Sequence, residues 1–319
     1  MLFNELTVTY LFLGGTGAGM CVVLSLLECF TARESMSVRL MSAAPYESPI
    51  SRISSALALP SEFFTRAWPA CFVLLALGVL CLLVDVGRPE RLFNLLFSPQ
   101  PTAMSVGSYA IAVTLLCSGA FSAMSLLDNV EPSRALSLAI AIVGVASGLV
   151  TAVYTGVLLS SLASVLAYRT PLLPALFCVS SLSCGLAGAF AALSFTEPRH
   201  PHVRPLAALT LADGGLVQIE AALLAVYVVW MLGSEGTAAG AWALIAGDMR
   251  WLFWGGLLIC GLIVPFALER FLTHGNARTQ LLWIASCLLA GGLSLRICTT
   301  GLAAYDVTQV SAFMLGLGC

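Results

Sequence analysis

The sequence contains eight separate apolar runs, and this pattern restricts the chain to one class of fold. A bilayer hydrocarbon core is crossed by a helix of about 20 apolar residues. The runs, numbered below as spans 1 to 8, are Leu6–Phe30, Ala67–Asp85, Met104–Leu127, Ala135–Leu159, Leu172–Phe195, Leu206–Leu232, Trp251–Leu268 and Leu281–Leu302. None shows the strict two-residue alternation of a membrane β-barrel. The sequence therefore predicts an all-α integral membrane protein with eight transmembrane helices.

Composition agrees with a membrane protein and excludes several functions. Only 9% of the residues are charged and 59% are hydrophobic, against about 25% charged in an ordinary soluble domain. The 14 basic residues are all Arg, and together with 16 acidic residues they give a net charge of -2. Such a balance argues against a nucleic-acid-binding surface, so we expect no nucleic-acid partner and membrane lipid as the surrounding solvent.

Cysteine and histidine placement argues against a metal centre within this chain. The 11 Cys are scattered and include no C-x-x-C pair, unlike a zinc or iron–sulfur ligand set. His200, His202 and His274 all lie in connectors, whereas a b-type haem needs axial His inside the bundle. We therefore expect no haem, no iron–sulfur cluster and no metal site here.

The distribution of arginine predicts the topology. Connectors one, three, five and seven hold nine Arg, and connectors two, four and six hold four. Because cytoplasmic loops hold the excess of positive charge, both termini are expected to face outward. The longest connector, Thr31 to Arg66, is only 36 residues, so the whole chain, 1–319, is predicted to be one membrane domain. Similar small-residue segments in spans 1 and 5 suggest two four-helix bundles, 1–160 and 161–319.

Five ionisable residues lie inside predicted spans, where charge is costly and commonly functional: Glu28, Asp85, Asp213, Glu220 and Arg296. At about 1.5 Å per residue, Glu220 and Arg296 lie roughly 21 and 22 Å from the cytoplasmic starts of their spans. Since they share a depth, Arg296 is expected to be paired or to face a polar cavity, with Glu220 the nearest candidate. Asp213 lies seven residues before Glu220, on the same helix face. Two carboxylates along one helix face, Asp213 and Glu220, suit a proton relay. The alternative is that Glu220 and Arg296 form an ion pair with a structural role only.

The segment after span 2 carries the most specific motif. It runs Asp85-Val86-Gly87-Arg88-Pro89-Glu90-Arg91, followed by Asn94-Leu95. This resembles the D-x-G-R-P-E-R-x-x-N-L signature of the NrfD-like family, which includes the membrane subunit of polysulfide reductase and is related more distantly to the DMSO reductase anchor. Further similarities are Tyr10-Leu11-Phe12-Leu13-Gly14-Gly15, Tyr154-Thr155-Gly156-Val157, Pro171-Leu172-Leu173-Pro174, Asp213 with Glu220, and Gly291-Gly292 with Arg296.

The resemblance implies a quinone-reactive subunit of a respiratory oxidoreductase in the bacterial inner membrane. It would exchange electrons between menaquinone or ubiquinone and a four-cluster ferredoxin-like iron–sulfur subunit, which serves a catalytic subunit of molybdopterin type. Tyr154 is then expected to hydrogen-bond a quinone oxygen, with Asn4, Thr9, Tyr10 and Asp85 as further contacts. Arg88, Glu90 and Arg91 are expected to dock the partner, and Glu220, Asp213 and Arg296 to act in proton transfer.

Two functions of other classes stay open at this point. A transporter or proton channel would also use buried carboxylates and repeated halves, although the spans lack the central Gly/Pro breaks that a midplane substrate site usually shows. A passive anchor would merely hold a partner at the membrane, and its polar residues would serve packing alone.

Overall fold

The described residues form eight long helices, and each helix coincides with one predicted span to within a few residues or extends beyond it. The computed structural model describes residues 5–41, 61–86, 103–127, 133–161, 165–195, 203–234, 236–270 and 277–314. The helices run Glu5–Met41, Ser61–Val86, Ala103–Leu126, Arg134–Ser160, Leu172–Ser194, Val203–Gly233, Leu252–Ile263 continuing as Val264–Arg270, and Ala277–Met314. All eight are long and apolar enough to cross a membrane. The prediction of an all-α, multi-pass membrane protein is confirmed.

Several helices extend beyond the apolar run that predicts them. The helix of span 1 continues past Phe30 to Met41, and that of span 2 begins at Ser61 rather than at Ala67. Hydropathy marks only the part of a helix that lies in the hydrocarbon layer. A helix can continue beyond the edge of this layer, because its backbone hydrogen bonds are satisfied internally. The helix ends therefore could not be found from the apolar runs alone.

Span 7 departs from regular α-helix geometry. Residues Leu252–Ile263 form a π-helix, which is rare and usually limited to single turns. At Gly261 its backbone approaches span 8 so closely that an added Cβ would lie 2.6 Å from the Cα of Gly291. The sequence predicts a membrane-crossing helix here, and hydropathy does not distinguish an α-helix from a π-helix.

Spans 1, 5 and 8 form the centre of the bundle. In their apolar segments 83%, 72% and 61% of the residues are buried, against 28–39% in the other five spans. Spans 1 and 5 pack along each other, and they approach most closely at Gly19, where an added Cβ would overlap the backbone of Ser181. Because this pair joins the first half of the chain to the second, the division into two four-helix bundles stays a prediction.

Two short helices lie at the face where span 1 begins, called the N-terminal face below. One is a 3-10 turn, Leu166–Tyr168, and the other is Ala238–Ile245. The hydroxyl of Tyr168 donates to the carbonyl of Thr299 (2.7 Å), and that of Tyr227 donates to the carbonyl of Ala167 (3.0 Å). These two bonds tie the connector between spans 4 and 5 to spans 6 and 8.

Candidate functional site

Two tyrosines lie near each other beneath the N-terminal face. Tyr10 lies five residues after the start of the span 1 helix and Tyr154 six residues before the end of the span 4 helix, which places both roughly 8–9 Å along their helices from that face. Tyr10 is 1% exposed, and Tyr154 is half-buried and close enough to interact with it electrostatically. Within the described part of the chain, the buried Tyr10 hydroxyl has no hydrogen-bond partner.

Glycine makes room for both rings. Tyr154 packs against Gly107 of span 3, where an added Cβ would overlap the ring, and the ring of Tyr10 lies 3.4 Å from the Cβ position of Gly14. Any larger residue at Gly107 would displace Tyr154. Gly107 and Tyr154 can both be read from the sequence. Their contact cannot, because it depends on how spans 3 and 4 pack together.

The other predicted contacts near this face divide into three groups. Asp85 meets span 1, since the Thr7 hydroxyl donates to its Oδ2 at 2.8 Å. Thr9 is exposed and its hydroxyl donates to the carbonyl of Glu5 on its own helix, so the structure does not bring it to the two tyrosines. Asn4, Arg88, Glu90 and Arg91 lie outside the described residues.

Arg296 is fully buried at the junction of spans 1, 5 and 8. Its Nη1 donates to the hydroxyl of Ser180 (2.9 Å) and the carbonyl of Gly292 (3.0 Å). Its Nη2 donates to the hydroxyl of Ser181 (3.0 Å), and its Nε to the carbonyl of Leu11 (3.4 Å). The guanidinium also lies 5.3 Å from the ring centroid of Phe177. Arg296 therefore joins three helices through uncharged acceptors.

The close packing of span 1 makes this position for Arg296 possible. A Cβ at Gly15 would lie 2.8 Å from the Ser181 hydroxyl oxygen and 3.0 Å from Arg296 Nη2. Gly15 thus provides the space that the guanidinium and Ser181 occupy. The sequence analysis used the small residues of spans 1 and 5 as a sign of repeated halves, and it missed the role of Gly15, Ser180 and Ser181 as the immediate surroundings of a buried cation.

Glu220 lies near Arg296 and Ser180. The carboxyl is buried and close enough to the Arg296 guanidinium to interact with it electrostatically. Ser180, whose Oγ accepts from Arg296, is a further neighbour of Glu220. The shared depth of Glu220 and Arg296 deduced from the sequence agrees with this proximity, and Ser180 is a neighbour that the depth argument did not include.

Asp213 lies nearer the opposite face and meets a carboxyl that sequence reasoning missed. Its Oδ1 accepts a hydrogen bond from Ser183 (3.0 Å), and the carboxyl of Glu269 lies beside it. Asp213 Oδ2 and Glu269 Oε1 are buried without a partner among the described atoms. Glu269 falls one residue beyond the predicted end of span 7, so hydropathy assigned it to the connector and gave no signal of its contact with Asp213.

Comparison with known proteins gives matches over most of the sequence. A family model described as "Polysulphide reductase, NrfD" matches residues 1–303. The protein is 30% identical to the C subunit of polysulfide reductase from Wolinella succinogenes over 308 residues, which cover 90% of this protein and 89% of that subunit. It is 28% identical to protein NrfD of Escherichia coli K12 over 247 residues, 69% of this protein and 76% of that one.

Proposed function

This chain belongs to the polysulphide reductase NrfD family, and from that premise we propose that it is the quinone-reactive membrane subunit of a respiratory oxidoreductase complex. Proteins of this family are membrane subunits of oxidoreductase complexes with further subunits. The observation that carries the proposal is the buried Tyr10 hydroxyl, which has no partner among the described residues and lies near Tyr154. A buried donor without an internal partner is costly unless a ligand satisfies it.

The residues near the N-terminal face fit a quinone. A quinone needs an apolar slot for its ring and tail, with donors at two carbonyl oxygens. The phenols of Tyr10 and Tyr154 are two such donors at one depth, and the bond from Thr7 holds Asp85 against span 1, three residues before Tyr10. Bound menaquinone or ubiquinone would supply two-electron, two-proton chemistry. The task of these side chains would be to orient its carbonyl oxygens and to exchange protons with them.

The electron partner is proposed to dock at the same face. A four-cluster ferredoxin-like iron–sulfur subunit there would lie within reach of a quinone held by Tyr10 and Tyr154, and it would serve a molybdopterin-type catalytic subunit. Arg88, Glu90 and Arg91 follow span 2 in the sequence, and Arg is suited to bidentate pairing with carboxylates of a partner. This arrangement also implies that the N-terminal face is the outer face of a bacterial inner membrane.

The buried polar groups of spans 5 to 8 support a proton path on the opposite side. The neighbouring carboxyls of Asp213 and Glu269 lie toward the opposite face, and two carboxyls in contact are stable together when they share a proton. Glu220 lies seven residues along span 6, roughly 10 Å farther in, next to Ser180 and Arg296. Protons would move from the carboxyl pair to Glu220 and on toward the side of span 1 that carries Tyr10.

Tyr154→Phe tests the quinone site. Loss of one hydrogen bond to the bound ligand is expected to lower quinol-linked turnover about tenfold while the complex still assembles. The measurement is the rate of oxidation of a soluble quinol by the purified complex. Tyr305→Phe is the matched control, since its hydroxyl bonds Asp248 (3.3 Å) of the connector between spans 6 and 7 and not Tyr10 or Tyr154. Equal turnover in both variants would remove Tyr154 from the proposed site.

Glu220→Gln tests the proton path. In vesicles containing the complex, this variant is expected to slow proton movement coupled to quinol turnover by about tenfold, because the amide cannot accept and release a proton. Glu62→Gln, at an exposed residue of the first turn of span 2, is the control. If Glu220→Gln and Tyr154→Phe both retain full turnover, the chain is a passive anchor. Solute movement by the isolated chain without a redox partner would instead indicate a transporter.

A further inference from the structure

Span 6 carries an amide on its outward surface at the middle of the membrane. Gln218 lies ten residues after Ala208 and fifteen before Gly233, the limits of the membrane-crossing segment, or roughly 15 and 23 Å from its ends. The side chain is exposed and makes no hydrogen bond to the described residues. An amide in hydrocarbon without a partner costs roughly several kcal/mol. Its position therefore needs a partner outside this fold.

The residues around Gln218 form one continuous stripe, called the Gln218 face. Its members alternate at spacings of four and three residues: Leu211, Gly215, Gln218, Ala222, Ala225 and Val229. This spacing is that of a seam between two helices that wrap around each other. The buried side of span 6, which carries Asp213, Val217, Glu220, Leu224 and Tyr227, lies on the opposite side of the helix. The Gln218 face is thus separate from the proposed proton path.

Small residues flank the amide and leave room for close approach. A Cβ added at Gly215 would meet nothing within 4 Å, and Ala222 and Ala225 are exposed. The larger side chains at the two ends of the stripe are exposed as well: Leu211 is 80% and Val229 is 68% exposed. Small residues that let two backbones approach, together with a polar side chain that bonds across the contact, are the features that hold transmembrane helices together.

We propose that the Gln218 face binds a second copy of this chain, with the two span 6 helices paired across a two-fold axis near Gln218. An amide both donates and accepts hydrogen bonds, so it is complementary to its own copy, as a two-fold interface requires. A carboxylate or guanidinium at the same place would repel its counterpart. The face is otherwise uncharged, which fits a copy of the same surface better than a helix that brings a charge to pair.

Dilution of the full-length chain in vesicles tests this pairing. Copies carrying donor and acceptor fluorophores would be placed in phosphatidylglycerol–phosphatidylcholine vesicles, and energy transfer measured as the protein-to-lipid ratio falls. We expect a dimer that dissociates on dilution. Gln218→Leu should raise the dissociation constant about tenfold, within the range for interhelical polar contacts in membranes, and Ala222→Phe should abolish energy transfer by blocking close approach.

Two exposed positions away from the face serve as controls. Val150→Leu changes a 43% exposed residue of span 4. Ser286→Ala removes an exposed hydroxyl of span 8 that bonds the carbonyl of Leu282 on its own helix (2.7 Å). Neither should alter dissociation, and all variants should melt at the wild-type temperature. A wild-type chain that is monomeric at every dilution, an unchanged dissociation constant for Gln218→Leu, or one copy of this chain in the complex purified with its companion subunits would overturn the proposal.

Discussion

Gly19→Ala is expected to lower the free energy of unfolding by about 3 kcal/mol, although it adds one methyl group. A Cβ at this position would overlap the backbone of Ser181 in span 5, so no side-chain rotation relieves the contact and the two central helices must separate. Overpacking in a core costs about 1–3 kcal/mol, and a clash with backbone belongs at the upper end. The same substitution in an unobstructed helix would be favourable by up to about 1 kcal/mol.

Thermal unfolding in detergent, followed with a thiol-reactive dye, measures this effect because several cysteines are buried in the folded bundle. Gly255→Ala is the matched control, since an added Cβ there meets nothing within 4 Å. Gly19→Ala should melt several degrees below wild type, and Gly255→Ala at or above it. If the two variants melted alike, spans 1 and 5 would not approach each other as described.

Arg296→Gln is expected to reduce quinol-linked turnover by at least about 100-fold and to lower the melting temperature as well. The variant loses the bonds from span 8 to Leu11 and Ser181, and Glu220 loses the cation near it. Removing one partner from a buried set of charged groups costs about 3–5 kcal/mol. Turnover should fall because the proposed path from Glu220 toward Tyr10 passes this guanidinium.

Two further variants separate a structural effect from a catalytic one. Arg296→Lys keeps the positive charge but lacks the planar guanidinium, whose several donors bond spans 1 and 5 at the same time. This variant should therefore retain part of the turnover but melt at a lower temperature than wild type. Arg250→Gln removes an exposed Arg that lies over the ring of Trp251 and should change neither quantity. Full turnover in a destabilised Arg296→Gln protein would restrict Arg296 to a structural role.

The features of the fold that the bilayer imposes, namely the helices and the depth of their residues, were predictable from the sequence. Eight apolar runs define eight helices, since an unpaired backbone is too costly in hydrocarbon. The shared depth of Glu220 and Arg296 followed from helical rise alone. Hydropathy carries no information on which helices are central or where backbones touch, so the burial of span 1, the contact of Gly19 with Ser181 and the π-helix of span 7 were not predictable.

The candidate site was predictable residue by residue but not as an arrangement. Tyr10, Asp85, Tyr154, Asp213, Glu220 and Arg296 were selected because each is a polar group in an apolar run or belongs to the family motif. Their actual neighbours are Thr7, Gly107, Ser180, Ser181, Ser183 and Glu269. Hydroxyls and glycines are common in membrane helices for packing reasons, and only the rotation of each helix decides which of them contacts an ionisable group. Thr9 illustrates this, because one position along the helix turns it away from Tyr10.

The site of Arg296 also has a consequence for how the chain enters the bilayer during synthesis. An isolated Arg at the centre of a helix costs about 2.5–3.5 kcal/mol on insertion, and span 8 is the last of the eight to be made. By then the carbonyl of Leu11 and the hydroxyls of Ser180 and Ser181 are already in the membrane. Span 8 can therefore insert beside groups that already offer hydrogen bonds to its guanidinium, which lowers the cost of placing this Arg in the membrane.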